Sequence, residues 1–262
     1  MFAQEAVHVM PEMANFNIGA WVIPLIGHQY DLEDLPLWTA GQDVHVAKRD
    51  GAFVLWIPAE IIGESPEPVR ALAEDRLALV NGVGRLLSSA FRPVSLAAEF
   101  IGVDPSGATV STVIALGTGE ARAKGYALGV STGNHVPPNP PEAAASPLMR
   151  ATTISRRAHD ALTIVGRPTL TWAEIYLLFE LVEAEVGGKM FELGWVSQED
   201  ATLFCRTANS YSALGSKGRH GKDKGAPPPQ PMQHGVAIML IRGLVLAWLR
   251  YVGEPRPAQT AG

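Results

Sequence analysis

Lys217, Arg219, His220, Lys222 and Lys224 crowd into the stretch SKGRHGKDKG, residues 216–225. An imidazole titrates near ~6.5 and moves protons at neutral pH. Guanidinium and ammonium groups hold phosphate oxygens and stabilise charge on a pentacoordinate phosphorus. RNA carries its own nucleophile, the 2′-hydroxyl, so a metal-free ribonuclease needs little beyond a base and a cationic clamp. On this reading His220 is the general acid or base, and Arg219 with Lys222 stabilises the phosphorane. Lys217, Lys222 and Lys224 grip phosphate or RNA. Asn209 and Ser210, at the end of the preceding helix, add hydrogen bonds, and no metal or cofactor is required. A plainer reading stands beside it: Gly215, Gly218, Gly221 and Gly225 mark a charged connector between two helices. If about three phosphates were neutralised, affinity would vary only as about the second power of salt. Binding would then need oligomerisation, with a homodimer the simplest case, or help from Arg156 and Arg157.

Other chemical patterns fail on context. GVSTG, residues 129–133, has the spacing of a nucleophile elbow around Ser131. That elbow needs a helix directly after the serine, and Pro137-Pro138 forbids one. LGTGEARAKG, residues 116–125, offers Gly117 and Gly119, but Arg122 stands at the third glycine position and no βαβ alternation surrounds it. Asp31, Glu33 and Asp34 match no calcium loop, so a solvated acidic loop is expected. Glu174, Glu180, Glu183 and Glu185 lack the E-x-x-H of a bundle metal site and read as an acidic face. Cys205, the single cysteine, lies beside Leu203 and Phe204 and reads as an inert buried thiol.

The elements that must position these groups fall into two halves. Residues 16–58 read as β-structure, with Asp50-Gly51 as a tight hairpin turn between VHVAK and FVLWI. Residues 65–90 form a helix with Val69, Leu72, Leu77, Leu79, Val80, Val83, Leu86 and Leu87 on its apolar face. SLAAEFIGV and TVSTVIALG follow, separated by a turn at Asp104–Gly107. The expected fold class is α+β: an N-terminal, mostly antiparallel sheet with one long helix over 1–130, then a proline-rich linker over 131–147. A C-terminal four-helix domain follows over 148–252, with a tail over 253–262. Its helices are 148–166, one opened by the Thr171/Glu174 capping box, one from Ser197, and one from about Met232 to Val252. The last is apolar nearly all round, broken by Arg242, and reads as the bundle's central helix.

Bulk properties narrow the class. The 262 residues are 47% hydrophobic and 18% charged, a globular composition. Residues 1–148 carry 8 Lys/Arg against 16 Asp/Glu, and residues 149–262 carry 13 against 10. Only the C-terminal half suits a polyanion; attraction between the halves is the alternative use of that asymmetry. One cysteine excludes an intrachain disulfide. The N-terminus lacks the cations and apolar core of a secretory signal, and the apolar C-terminal run is short for a bilayer span. A cytoplasmic protein with no membrane partner is expected.

The series TWAEIYLLFELVE, FCRTANS, GRHGK, PPPQPM and an apolar final helix resembles bacterial proteins with a HEPN-like four-helix domain, over roughly residues 149–252. The resemblance implies a fold used by ribonucleases and RNA-binding modules in bacterial defence and stress responses. Catalytic members of that family place an arginine before the histidine with four to six residues between. Here Arg219 and His220 are adjacent, and residues 213–215 are Ala213, Leu214 and Gly215, so only His220 and Arg219 carry over. The expected function is RNA or phosphate binding, with metal-independent endoribonuclease activity as its active form. A non-enzymatic interaction or scaffold protein is the alternative. So is a small-molecule sensor using the N-terminal sheet, which requires an enclosed apolar pocket there.

Overall fold

The computed structural model describes residues 17–63, 66–114, 141–223 and 225–254. The GVSTG and LGTGEARAKG stretches, and Lys224, lie outside them.

Strand β1 (Ala20–Ile26) is the centre of an antiparallel sheet. Between it and its partners the chain makes two short helices, α1 (Gln29–Glu33) and α2 (Leu35–Trp38). Strands β2 (His45–Arg49) and β3 (Ala52–Pro58) form the expected hairpin, with Arg49 opposite Ala52. Asp50 and Gly51 take φ of 49° and 84°, as the tight turn demands. After α3 (Ala59–Ile62) comes the long helix α4 (Pro66–Leu87), then β4 (Ser95–Leu96), β5 (Glu99–Val103) and β6 (Thr109–Ile114). The order is β2-β3-β1-β5-β6, with β4 beside the end of β1. One face of the sheet puts Trp21, Ile23, Leu55 and Ile57 into the core with Val69, Ala73, Val80 and Val83 of α4. The α+β class is therefore as the sequence indicated.

The acidic stretch departs from expectation. Asp31, Glu33 and Asp34 lie on or beside α1 rather than in a loop. Asp31 is mostly buried and takes Arg92 Nε at 2.9 Å; Glu33 accepts from Gln29 at 2.7 Å. Leu32, Leu35 and Trp38 supply the reason, since their burial pulls the segment onto the core.

The expected linker also needs correction over residues 141–147. Helix α5 (Pro141–Ile154) begins there, and Ala145 and Leu148 are fully buried. Pro141 occupies a first-turn position where its missing N–H costs nothing, and Glu142 to Ala145 are strong helix formers. The helix expected over 148–166 is broken in two. Thr152 and Thr153 turn their hydroxyls back to the carbonyls of Met149 and Arg150, and Ser155 caps α6 (Arg156–Val165) by accepting from Ala158 N–H.

Helix α7 (Trp172–Val186) opens with the full capping box of Thr171 and Glu174. Short α8 (Lys189–Glu192) leads to α9 (Gln198–Ala208), α10 (Tyr211–Leu214) and a 3-10 turn (Gly215–Lys217), and the described chain closes with α11 (His234–Gly253). Ile241, Leu244, Val245, Trp248 and Leu249 of α11 are buried, whereas Val236 and Met239 are exposed. Thus α11 is covered on one side only, not all round. The apolar interior runs continuously from the sheet through α4 into these helices.

Candidate functional site

The end of α9, the loop after it and the middle of α7 assemble the groups singled out by chemistry. Arg219 is held from three sides. Its Nη1 donates to Glu180 Oε1 at 3.0 Å, its Cζ lies 4.3 Å from the Tyr176 ring centre, and its main-chain N–H donates to Ala208 O. A guanidinium engaged with carboxylate and ring is not free for phosphate without displacing both.

Asn209 and Ser210 are drawn into local structure. Asn209 Nδ2 donates to Cys205 O at 2.9 Å, capping the end of α9. Ser210 is buried, caps α10 by accepting from Ala213 N–H, and donates to Asp223 Oδ1 at 2.8 Å. His220 is half-buried, and Lys217 and Lys222 are exposed. A cleft of about 470 Å³ beside the loop is lined by Cys205, Arg206, Asn209, Ser210, Gly225 and Ala226. Neither Arg219 nor His220 lines it.

The local field is mixed. Burial first, then Glu183 and Glu180, push the Cys205 thiol up to about 11, against a hydrogen bond with Tyr176. Those carboxylates stand where an anion was expected. The Cys205 thiol is half-buried rather than buried, and the raised value keeps it protonated at neutral pH.

Asp223 is the residue that sequence reasoning passed over. It ties the loop to α10 through the hydroxyls of Ser210 and Ser212 and the Ser212 N–H at 3.0 Å. The Ser212 and Ser210 hydrogen bonds hold its carboxyl below the ordinary range. A carboxyl lowered by folding stabilises above its unfolded value and loses that contribution as pH falls through the folded one. Hydrogen-exchange protection at the Ser212 amide should therefore be full at neutral pH and fade on acidification below about pH 4. Asp223→Ala should lack it throughout. Protection unchanged by acid would show that the carboxylate does not hold the loop.

A second concavity, of about 770 Å³, is larger. Glu74, Ala78 and Asn81 of α4 form one wall, residues 93–98 and Phe100 another, and Thr163, Gly166 and Pro168 the third. Asn81 fixes its shape. Its Nδ2 donates to Val94 O and its Oδ1 accepts from Val94 N–H, each at 2.9 Å, pinning the segment before β4 to α4. A buried asparagine with both amide atoms on one backbone residue acts as a clamp. The charged rim is neutralised: Arg70 pairs with Glu74 at 2.8 Å, and Arg167 with Glu174. Leu77 and Phe100 supply apolar floor, and Thr163 Oγ1 is buried with no hydrogen-bond partner among the described residues. The sensor reading expected an enclosed apolar pocket at the N-terminal sheet; the concavity beside it is instead an open groove, shared between the sheet edge, α4 and the end of α6. Asn81, inside the apolar run ALVNGVG, was the one signal of it in the sequence.

No protein-family model, curated protein or solved structure matches the chain.

Proposed function

We propose that this protein binds a small, partly apolar molecule in the groove between α4, the β4–β5 edge and the end of α6, and acts as a sensor rather than as an enzyme. The observation that carries this reading is the groove itself. Its volume of about 770 Å³ falls within the range of small-molecule sites, and its floor is apolar with a few convergent polar groups. The Asn81 clamp gives it a fixed shape, so little ordering cost falls on the ligand.

Ala98 is exposed on the groove wall, so a large ring placed there fills the space without entering the core. Wild-type protein should bind the neutral dye N-phenyl-1-naphthylamine with a rise in fluorescence. Ala98→Trp should weaken binding at least about tenfold at unchanged melting temperature. Equal binding by both proteins would remove the reading.

Phosphate-backbone binding by the 216–223 loop is the second reading. The exposure of Lys217 and Lys222 beside His220 favours it. Its active form is metal-independent RNA cleavage, with His220 as acid or base and Arg219 released from Glu180. Single-stranded RNA incubated with the protein in EDTA is the test. Cleavage abolished in His220→Ala would favour the loop, whereas intact RNA would leave the groove as the functional site.

A further inference from the structure

A third cleft, of about 520 Å³, is walled by residues 40–44 between α2 and β2, by Arg76 of α4, and by residues of α5 from Ser146 to Thr153. Arg76 stands about 200° round α4 from Glu74 of the groove. The cleft and the groove share no lining residue. Two guanidiniums, Arg76 and Arg150, line this one cleft. Neither has a carboxylate within reach along its own helix. Three and four residues to either side of Arg76 are Leu72, Ala73, Leu79 and Val80; around Arg150 they are Ser146, Pro147, Thr153 and Ile154. Arg70 and Arg156, by contrast, each meet a carboxylate four residues on.

Tertiary packing brings them no carboxylate either. Among the described residues neither arginine is in an ion pair. The Arg76 Nε is buried without a partner, and Arg150 donates only from Nη1, to Gly253 O at 3.2 Å. Arg150 also borders the neighbouring hollow that holds Glu185 and Glu254; Glu185 pairs with Arg157 instead, and Glu254 pairs with no described cation. One carboxylate, Asp43, lines the cleft, and it pairs with neither arginine. Thr152 and Thr153 also line it, with their hydroxyl protons already given to the carbonyls of Met149 and Arg150. Those two oxygens can therefore only accept.

We propose that this cleft binds an acidic amino acid, with its two carboxylates on Arg76 and Arg150 and its ammonium on Asp43. The lining sets the ligand's charges. Two guanidiniums and one carboxylate mirror two carboxylates and one ammonium, and the guanidinium fork matches carboxylate geometry. A phosphate monoester would answer the arginines but set about two negative charges beside Asp43. A monocarboxylate would leave one guanidinium bare. The acceptor oxygens of Thr152 and Thr153 suit an ammonium and give nothing to a further oxyanion. Ile61 and Met149 offer apolar contact for the methylenes, and the volume lies within the range of small-molecule sites. This site is independent of the groove and of the neutral ligand assigned to it.

Calorimetric titration at fixed ionic strength tests it with glutamate, with glutarate, which lacks the ammonium, and with norvaline, which lacks the second carboxylate. Wild-type protein should bind glutamate saturably, and each analogue at least about tenfold more weakly. Arg76→Gln removes no hydrogen bond or ion pair among the described residues, so it should keep the parent's melting temperature and lose at least about tenfold in glutamate affinity. Asp43→Asn should bring glutamate down to the level of glutarate. No saturable binding of glutamate by the wild type, or equal binding by Arg76→Gln, overturns the site. Glutarate binding as tightly as glutamate overturns the contact with Asp43 and the amino-acid assignment with it. Ala98→Trp, altered only in the groove, should bind glutamate as the wild type does; a loss there would move glutamate to the groove and overturn the cleft.

Discussion

Gly82→Val should cost about 3 kcal/mol of stability, read as a fall in the urea midpoint, because it drives α4 and α6 apart. Glycine inside a helix is a liability of about 1 kcal/mol against alanine. Gly82 sits well inside the 22-residue helix Pro66–Leu87. A side chain there would start 2.2 Å from Leu162 O and 2.7 Å from its Cγ. At Gly166, which caps the C-terminal end of the facing α6, a Cβ would lie 2.4 Å from Ala78 O. The two backbones touch because both lack side chains at the crossing, and the same contact fixes the third wall of the groove against the first. The comparison is Gly243→Ala in α11, where nothing lies within 4 Å of the added carbon. That variant should gain about 0.5–1 kcal/mol. Similar shifts for both would mean that the close approach of α4 and α6 does not govern stability.

Phe204→Ala should cost about 3–5 kcal/mol, the range for emptying a large aromatic site. Phe204 is fully buried, and its ring centre lies 5.6 Å from Phe179, 5.9 Å from Tyr176 and 6.2 Å from Trp172. These four rings join α7 to α9. The loss reaches the loop as well, since Tyr176 supports the Arg219 guanidinium and bonds to Cys205. Chemical denaturation measures the main effect, and Phe204→Leu should lose less than half as much. A cost under about 1 kcal/mol for the alanine variant would show that the rings do not hold the two helices together.

Much of the local structure was written in short windows of sequence. Asp50-Gly51 specified its hairpin because the tight turn needs positive φ at two successive residues, and both have it. Thr171 and Glu174 specified the start of α7 because each satisfies the other's backbone donor within one turn. The threonines that weakened the helix over 148–166 are the residues at which it ends. Proline content misled at residues 141–147, where position in the first turn outweighs composition. The acidic charges at 31–34 misled as well, because Leu32, Leu35 and Trp38 between and beside them decide that segment's burial.

The sequence alone determined the α+β class, the strand pairing across tight turns and the starts of α7 and α9, all of which depend on residues a few positions apart. It named the reactive groups of the 216–225 stretch but not their partners. Glu180 meets Arg219 from 39 residues away, and Asn81 grips Val94 across a strand connection. Arg85 reaches Pro168 across 83 residues. Whether a cation is neutralised or left bare depends on which distant side chain packing brings beside it. Backbone chemistry within one turn does not carry that information, so only the tertiary structure decided which arginines meet a distant carboxylate.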